Sequence, residues 1–264
     1  MKHTRRQVLA SSLAAPALAV PSLLRAQRDH HAGQFERLNQ PGRTGLPEIH
    51  VQQVDIASPA PKASTPGRWS PRAPIAIPRT EMAWAVAYRR RVCLVGGHAQ
   101  QRVDKPYRHA HDPQADRHER RQPMPVARDH EGIAVVGEQI HLIGGRVDTF
   151  HTNITLHHSD DARADRRTLR TPMPTARSGH GCVPYRGKVF VMGGEGWQNV
   201  HGQNRAWDPA RDRWERHAPM LTRRHGMGAV VVGEFGNGDA IPVAGGGPQM
   251  GGGVKSAINE AFVL

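Results

Sequence analysis

Four arginines recur along the chain at almost constant spacing: Arg79, Arg128, Arg177 and Arg224 lie 49, 49 and 47 residues apart. Each is followed closely by an ionisable side chain: Glu81 after the first, Asp129 and His130 after the second, His180 after the third and His225 after the fourth. Guanidinium groups offer paired N–H donors that match carboxylates and hydroxyls, and imidazoles and carboxylates can move protons near neutral pH. If the fold brings these residues to one point, they suit a carboxylated or hydroxylated ligand such as an acidic sugar, with Glu81, His130 or His180 as acid–base groups. The competing reading is structural: an arginine repeated at a fixed period can be spent on the carbonyls and aspartates of a neighbouring repeat.

Other chemistry is weakly supported. The chain has 17 histidines, and His109 and His111 alternate so that both project from one strand face, with His157 and His158 in the equivalent stretch of the next repeat. No acidic or cysteine residue recurs at a spacing that completes a tetrahedral set, so no metal and no cofactor is expected. Cys93 and Cys182 lie in apolar runs of different repeats and read as small core residues, not as a disulfide. The glycine-rich stretch from Gly245 to Ser256 has Val254 between glycine and Lys255 and no helix after it, so it reads as a loop and not as a phosphate cradle.

The elements that must position these residues form a repeat of 47 to 52 residues, each copy ending a hydrophobic strand on two glycines: Gly96/Gly97, Gly144/Gly145, Gly193/Gly194 and Gly245/Gly246. The third copy is the cleanest. It predicts a strand from His180 to Tyr185, a turn at Arg186-Gly187-Lys188, a strand from Val189 to Met192, a third strand over Asn204 to Trp207 and a fourth beginning near Trp214. Asp112, Asp161 and Asp208 open the third turn, with Asp116, Asp165 and Asp212 four residues on; Asp suits such turns because its carboxylate accepts from the turn's own amides. Trp69, His118, Arg167 and Trp214 share one equivalent position.

A four-stranded unit of this length that stops on a diglycine resembles a kelch-type β-propeller blade. Over roughly residues 67 to 264 the chain is similar to the exported bacterial kelch-repeat proteins, related to the propeller domain of galactose oxidase. The resemblance implies an all-β propeller with four recognisable blades, where relatives usually have six or seven. It also implies ring closure by the N-terminal region: Asn259 to Leu264 aligns with a third strand, Trp69 to Pro74 has the spacing of a fourth, and Ile49 to Ile56 could join it. By analogy with that fold, Arg79, Glu81, Arg128, His130, Arg177, His180, Arg224 and His225 are expected at the mouth of the central channel.

Departures from the pattern read as erosion. His118 and Arg167 replace the blade tryptophan, His111 and Asp160 replace the usual tyrosine before the turn aspartate, and Pro242 falls inside a strand. The copper-radical chemistry of galactose oxidase needs two tyrosines and two histidines at copper with a tyrosine–cysteine cross-link. Tyr88, Tyr107 and Tyr185 are the only tyrosines, and nothing matches that motif. The expected function is a non-catalytic binding module for a protein or glycan partner. The alternatives are a carbohydrate-active enzyme, mutarotase-like on sialic acid or galactose oxidase-like, and a shortened, partly degenerate relative that closes poorly or only as an oligomer.

The first 26 residues read as an export signal. Lys2, Arg5 and Arg6 precede an apolar stretch from Val8 to Leu24, and Thr4-Arg5-Arg6-Gln7-Val8-Leu9 resembles a twin-arginine signal, with cleavage after Ala19 or Ala26. Residues 27–66 form a leader and linker with one candidate strand, and 67–264 the propeller. A periplasmic or extracellular location follows, without stable membrane insertion once the signal is removed. The formal charge of +13 comes almost wholly from arginines scattered through every repeat. With no aromatic platform between them, they give no nucleic-acid surface.

Overall fold

In the computed structural model, residues 70–264 are described, apart from 84–85, 99–105, 150, 162 and 236–237. The expectations for residues 1–66 and for Trp69 therefore lie outside the described residues. Strands, turns and loops account for all the described chain, with no helix among them.

Blade 1 contains β1 (Val86–Tyr88), β2 (Arg91–Val95), β3 (Arg108–Asp112) and β4 (Arg117–Arg121). Blade 2 contains β5 (Gly132–Val136), β6 (Gln139–Ile143), β7 (His157–Asp161) and β8 (Arg166–Leu169). Blade 3 has β9 (Gly181–Tyr185) and β10 (Lys188–Met192), a small hairpin of β11 (Glu195–Gly196) and β12 (Asn199–Val200), then β13 (Asn204–Asp208) and β14 (Arg213–His217). Blade 4 has β15 (Gly228–Ala229), β16 (Val232–Phe235), β17 (Gly238–Ala244) and β18 (Asn259–Phe262). Blades 1 to 3 are antiparallel meanders in strand order, and in blade 4 both β15 and β16 lie against β17, whose other edge carries β18. The boundaries expected for the third repeat agree with these to within a residue or two.

The core lies in the seams between successive sheets, because each short sheet can bury its apolar face only against the next. Tyr88, Cys93, Val95 and Met124 meet Ile133, Ile140 and Leu142 between blades 1 and 2. Ala134, Ile143 and Met173 meet Val189, Val191 and Trp207 between blades 2 and 3. Val183, Tyr185, Phe190 and Met192 meet Met227, Ile241 and Val243 between blades 3 and 4. The innermost strands β1, β5, β9 and β15 pack in that order, which arranges the blades as a four-bladed propeller. Among the described residues β18 pairs with β17 alone. The strand expected to close this blade starts at Trp69, outside the described residues.

The diglycines are required by both conformation and space. Gly144 and Gly145 have φ of +62° and +93°. A Cβ on Gly144 would lie 2.7 Å from the Arg177 carbonyl of the next blade, and one on Gly145 would lie 2.8 Å from the Asp129 carbonyl. Backbone therefore crosses backbone where a side chain would stand.

The substitutions read as erosion turn out to keep one hydrogen bond. In three linking segments the residue before a proline, Ala73, Gln122 or Thr171, is clasped by the four-stranded unit that follows it. Its amide donates to the second turn aspartate: Ala73 to Asp116 at 3.1 Å, Gln122 to Asp165 at 3.2 Å and Thr171 to Asp212 at 3.1 Å. Its carbonyl accepts from the side chain two residues beyond that aspartate: His118 Nε2 at 3.0 Å, Arg167 Nη2 at 3.4 Å and Trp214 Nε1 at 3.0 Å. Imidazole, guanidinium and indole all place an N–H at the end of a flat group, so the position selects a donor and not tryptophan itself. Likewise His111 and Trp207 donate to Asp116 and Asp212, while Arg108 serves Asp165 in the blade where Asp160 replaces the donor.

Pro242 does not end β17, which continues through it and pairs Pro242 with Ala261 of β18. The disturbance falls on the other side, where the innermost strand is split into β15 and β16, with a register shift between Val232 and Phe235. Both cysteines are free thiols, as expected.

Candidate functional site

The four repeated arginines are clamps on their own blades. Arg79 Nη1 donates to the Gly96 carbonyl at 2.7 Å and to that of Tyr107 at 3.0 Å. Arg177 Nη1 donates to Gly193 and Gln203 at 3.0 and 3.4 Å, and Arg224 Nη1 to Gly245 and Ile258 at 2.5 and 2.9 Å. One guanidinium thus reinforces the backbone bond from the first glycine's amide to the residue preceding the third strand, donating to the carbonyls of both. Arg128 is held less completely: Nη2 reaches His158 Nδ1 at 3.4 Å, while Nε and Nη1 find no partner. Arg128, Arg177 and Arg224 are wholly buried, so their guanidinium groups do not face a ligand at the mouth. The sequence reading had the bonds crossing to an adjacent repeat; the carbonyls in fact belong to the arginine's own blade.

The histidines of the third strands complete these clamps. Arg79 Nη2 donates to His109 Nδ1 at 3.0 Å, and in blade 4 Arg224 Nη2 donates to Glu260 Oε1 at 2.8 Å. His109, His158 and Glu260 share one register position, opposite Leu94, Leu142 and Val243. To accept from a guanidinium the imidazole must be neutral, and burial followed by the nearby arginine holds both His109 and His158 below the usual imidazole range. In blade 3 this position is Arg205; Gln203 accepts from Arg177 instead, and burial together with Arg205 pushes Arg177 down to about 10. Among the described residues no group of histidine, cysteine or carboxylate side chains is arranged to hold a metal ion.

His180 is also placed in a seam. It is buried against blade 2, where a Cβ on Gly132 would lie 2.5 Å from its Nε2, and burial, then Arg177, pushes its pKa down to about 3. Glu131 holds the equivalent position one blade earlier, where blades 1 and 4 have Met82 and Met227.

The mouth itself is built two residues after each arginine. Glu81, His130, Gly179 and Gly226 all have positive φ, at 54°, 52°, 59° and 63°. Their backbones form a directional collar: the His130 amide donates to Glu81 O at 3.4 Å, Gly179 to His130 O at 3.0 Å and Gly226 to Gly179 O at 2.7 Å. Glycine meets this conformation without strain, whereas Glu81 and His130 occupy it at a cost of about 1 kcal/mol each. At this one position the first two blades carry side chains where the next two have glycine.

Around that collar runs a polar network. Buried Asp129 accepts from His98 Nε2 at 2.5 Å, from Arg146 Nε at 2.8 Å and from His130 Nδ1. Burial alone would raise its pKa, but the hydrogen bonds from the histidines and the charge of Arg146 hold the carboxyl far below the usual range. Arg146 Nη1 then donates to Glu195 Oε1 at 2.9 Å, and Glu195 Oε2 accepts from the Gly251 amide at 2.9 Å. His225 Nε2 donates to Gln249 O and Gly251 O at 2.8 and 3.1 Å, with Nδ1 3.6 Å from Glu195. The glycine-rich segment after Gly246 is therefore a blade loop, as its sequence predicts.

His130 is the one member that can change partners. Its Nε2 lies 3.1 Å from Glu81 Oε2 and 3.2 Å from Arg146 Nη2. A proton on that nitrogen serves Glu81, and a lone pair serves Arg146. Glu81 is half-exposed, so this end of the network meets solvent. Two residues after Glu195, at the tip of the β11–β12 hairpin, Trp197 is 57% exposed and stacks edge-on with His151 of the blade 2 loop at 4.0 Å.

Of the residues expected at the mouth, the structure thus brings Glu81, His130 and His225 together there and puts the arginines and His180 inside. It adds His98, Arg146 and Glu195, each the residue after a diglycine, and Trp197. Each of these three bridges to the residue after a repeated arginine, Thr80, Asp129 and Ser178 respectively. Their shared position was readable from the repeat.

The kelch motif is matched over residues 176–221, from the Arg177 clamp to the end of blade 3. No curated protein matches the chain. That match, on the most regular repeat, and four blades built on one hydrogen-bonding plan support a kelch-repeat propeller.

Proposed function

We propose that this kelch-repeat propeller is an exported, non-catalytic binding module that takes a protein or glycan partner at the channel mouth. One observation carries the reading: Glu81 and His130 are kept in a costly left-handed conformation at the half-exposed end of a self-bonded network that runs through Arg146 to Glu195, two residues before the exposed indole of Trp197. Propellers of this kind commonly bind proteins, and a ring of loops on a rigid scaffold gives several blades access to one ligand. Trp197 supplies a flat apolar platform on the blade 3 hairpin, and Glu81 with His130 supplies both donors and acceptors at the collar. Export is supported by Lys2, Arg5 and Arg6 ahead of the apolar Val8–Leu24 stretch. Among the described residues no helix is long and apolar enough to cross a membrane.

The test is retention of exported-fraction proteins and of an arrayed glycan set on the immobilised full chain. Retention should be lost in Trp197→Ala and Glu81→Gly together. Retention that survives both substitutions refutes binding at the mouth.

A second reading, an enzyme acting on carbohydrate, draws on the Asp129–His130–Glu81 chain, where an oriented imidazole lies between two carboxylates. Mutarotation of sialic acid, monitored by NMR with wild type and Glu81→Gln, separates the two: turnover that Glu81→Gln abolishes would replace the binding reading.

A further inference from the structure

The seam between blades 1 and 2 holds a cavity of about 160 Å³ that shares no lining residue with the channel mouth. Its polar lining is five guanidinium groups, from Arg89, Arg91, Arg108, Arg121 and Arg163, with the His109 imidazole that already accepts from Arg79, and no carboxylate lines it. Its floor is apolar, made by Tyr88, Cys93 and Ile140 of the seam core.

The carboxylates that answer these arginines stand behind the wall and are shared. Glu119 serves Arg91, Arg117 and Arg121 at once, and Asp160 serves both Arg108 and Arg167. Asp165 receives Arg108, and Glu138 receives Arg89. Arg91 also meets Asp112 at 3.4 Å, so five carboxylates answer the five wall arginines together with Arg117 and Arg167, and Arg121 Nε, shielded from solvent, has no hydrogen-bond partner. A cluster of like charges with an unmade donor is costly in a partly buried place unless an anion completes it. Arginine forks are suited to planar oxyanions, and the apolar floor favours a ligand with a ring or short hydrocarbon part.

We propose that this cavity is a binding site for a small organic carboxylate, held by Arg121 and Arg163 at its carboxyl group and by Tyr88, Cys93 and Ile140 along its apolar part. The site is independent of the channel mouth and of whatever binds there.

Isothermal titration of the full chain in low-chloride buffer tests it, with benzoate as probe, benzyl alcohol as its neutral analogue and inorganic phosphate as an anion without an apolar part. Benzoate should bind saturably with one site per chain, more tightly than phosphate, and benzyl alcohol should not bind. Arg163→Gln, on an exposed turn, and Arg121→Gln should each weaken benzoate about tenfold, while Arg213→Gln on blade 3 leaves it unchanged. Circular dichroism melts identify any variant that fails to fold, and Arg163, exposed on its turn, keeps the comparison usable. Absence of saturable heat with benzoate overturns the site, as does equal binding of benzyl alcohol or equal weakening by Arg163→Gln and Arg213→Gln. Tighter binding of phosphate overturns the organic class.

Discussion

Glu81 Oε2 lies 3.1 Å from His130 Nε2, and both residues stand at positive φ where the next two blades have glycine. Conformational cost and chemical contact thus coincide at one place. Replacing Glu81 by glycine should relieve the backbone strain and raise stability by up to about 1 kcal/mol, because the half-exposed carboxylate adds little to folding. Urea unfolding checks the gain, and retention of the partner checks the accompanying loss. A substitution that weakens folding instead would mean that the Glu81 side chain supports the fold.

The diglycine predicts a sharper effect. Gly144→Ala places a methyl 2.7 Å from the Arg177 carbonyl and forces alanine to φ near +62°. Destabilisation of about 3 kcal/mol is expected from strain and overpacking together, read as a lower urea midpoint. Gly137→Ala, also at positive φ but with open space around it, should cost only about 1 kcal/mol.

Arg177→Met should be among the most damaging changes in the chain. It strands the Gly193 carbonyl in a wholly buried site and leaves the Gln203 carbonyl with the Gly193 amide alone, for a loss of about 3 kcal/mol in unfolding free energy. Arg177→Lys keeps the charge but loses the fork and should recover less than half of that.

The donor at the blade clasp should be exchangeable. His118→Phe is expected to cost about 1 kcal/mol by leaving the Ala73 carbonyl without its partner, and His118→Trp to cost little. A result in which phenylalanine and tryptophan behave alike would show that ring packing and not the N–H matters there.

Acid should weaken the fold well above carboxylate pKa values. Burial pushes His141 and His201 down to about 4 and His157 and His180 down to about 3. His157 Nδ1 donates to Thr171 O, so its Nε2 accepts from His141 Nδ1 at 3.0 Å, and a proton on that Nε2 breaks the pair. Above pH ~6.5, the unfolded imidazole value, both states are neutral and these groups leave stability unchanged with pH. Below it the unfolded chain takes up protons that the folded chain refuses, so stability falls as pH drops from ~6.5 towards 3 to 4, by about 1 kcal/mol per pH unit for each group. Urea midpoints across that range test the sign, and a flat profile between pH 6.5 and 5 would rule it out.

The blade plan was legible because its markers are local necessities. Gly144 and Gly145 answer a backbone crossing, and Asp112 and Asp161 accept from the amides two and three residues on, so each betrays its geometry by residue type. The repeated arginines were legible for the same reason, and that reason makes them framework. The mouth was harder to see because its defining position holds His98, Arg146, Glu195 and Gly247 in turn. A site that four repeats build together need not repeat its residue types, so the spacing marks the position, one residue after each diglycine, and not the chemistry placed there. His118 and Arg167 were misleading because residue identity changed while the hydrogen bond stayed.

The collar of Glu81, His130, Gly179 and Gly226 runs one way only, each amide reaching back to the carbonyl of the blade before it. On a ribosome, the collar acceptor on each earlier blade is already made when the next donor emerges, as are the Gly97, Gly145 and Gly194 amides before the Arg128, Arg177 and Arg224 carbonyls they reach, so each seam needs only the blade that comes next. Assembly can therefore proceed as masonry does, course upon course from the N-terminal side, with each seam sealed before the next is laid.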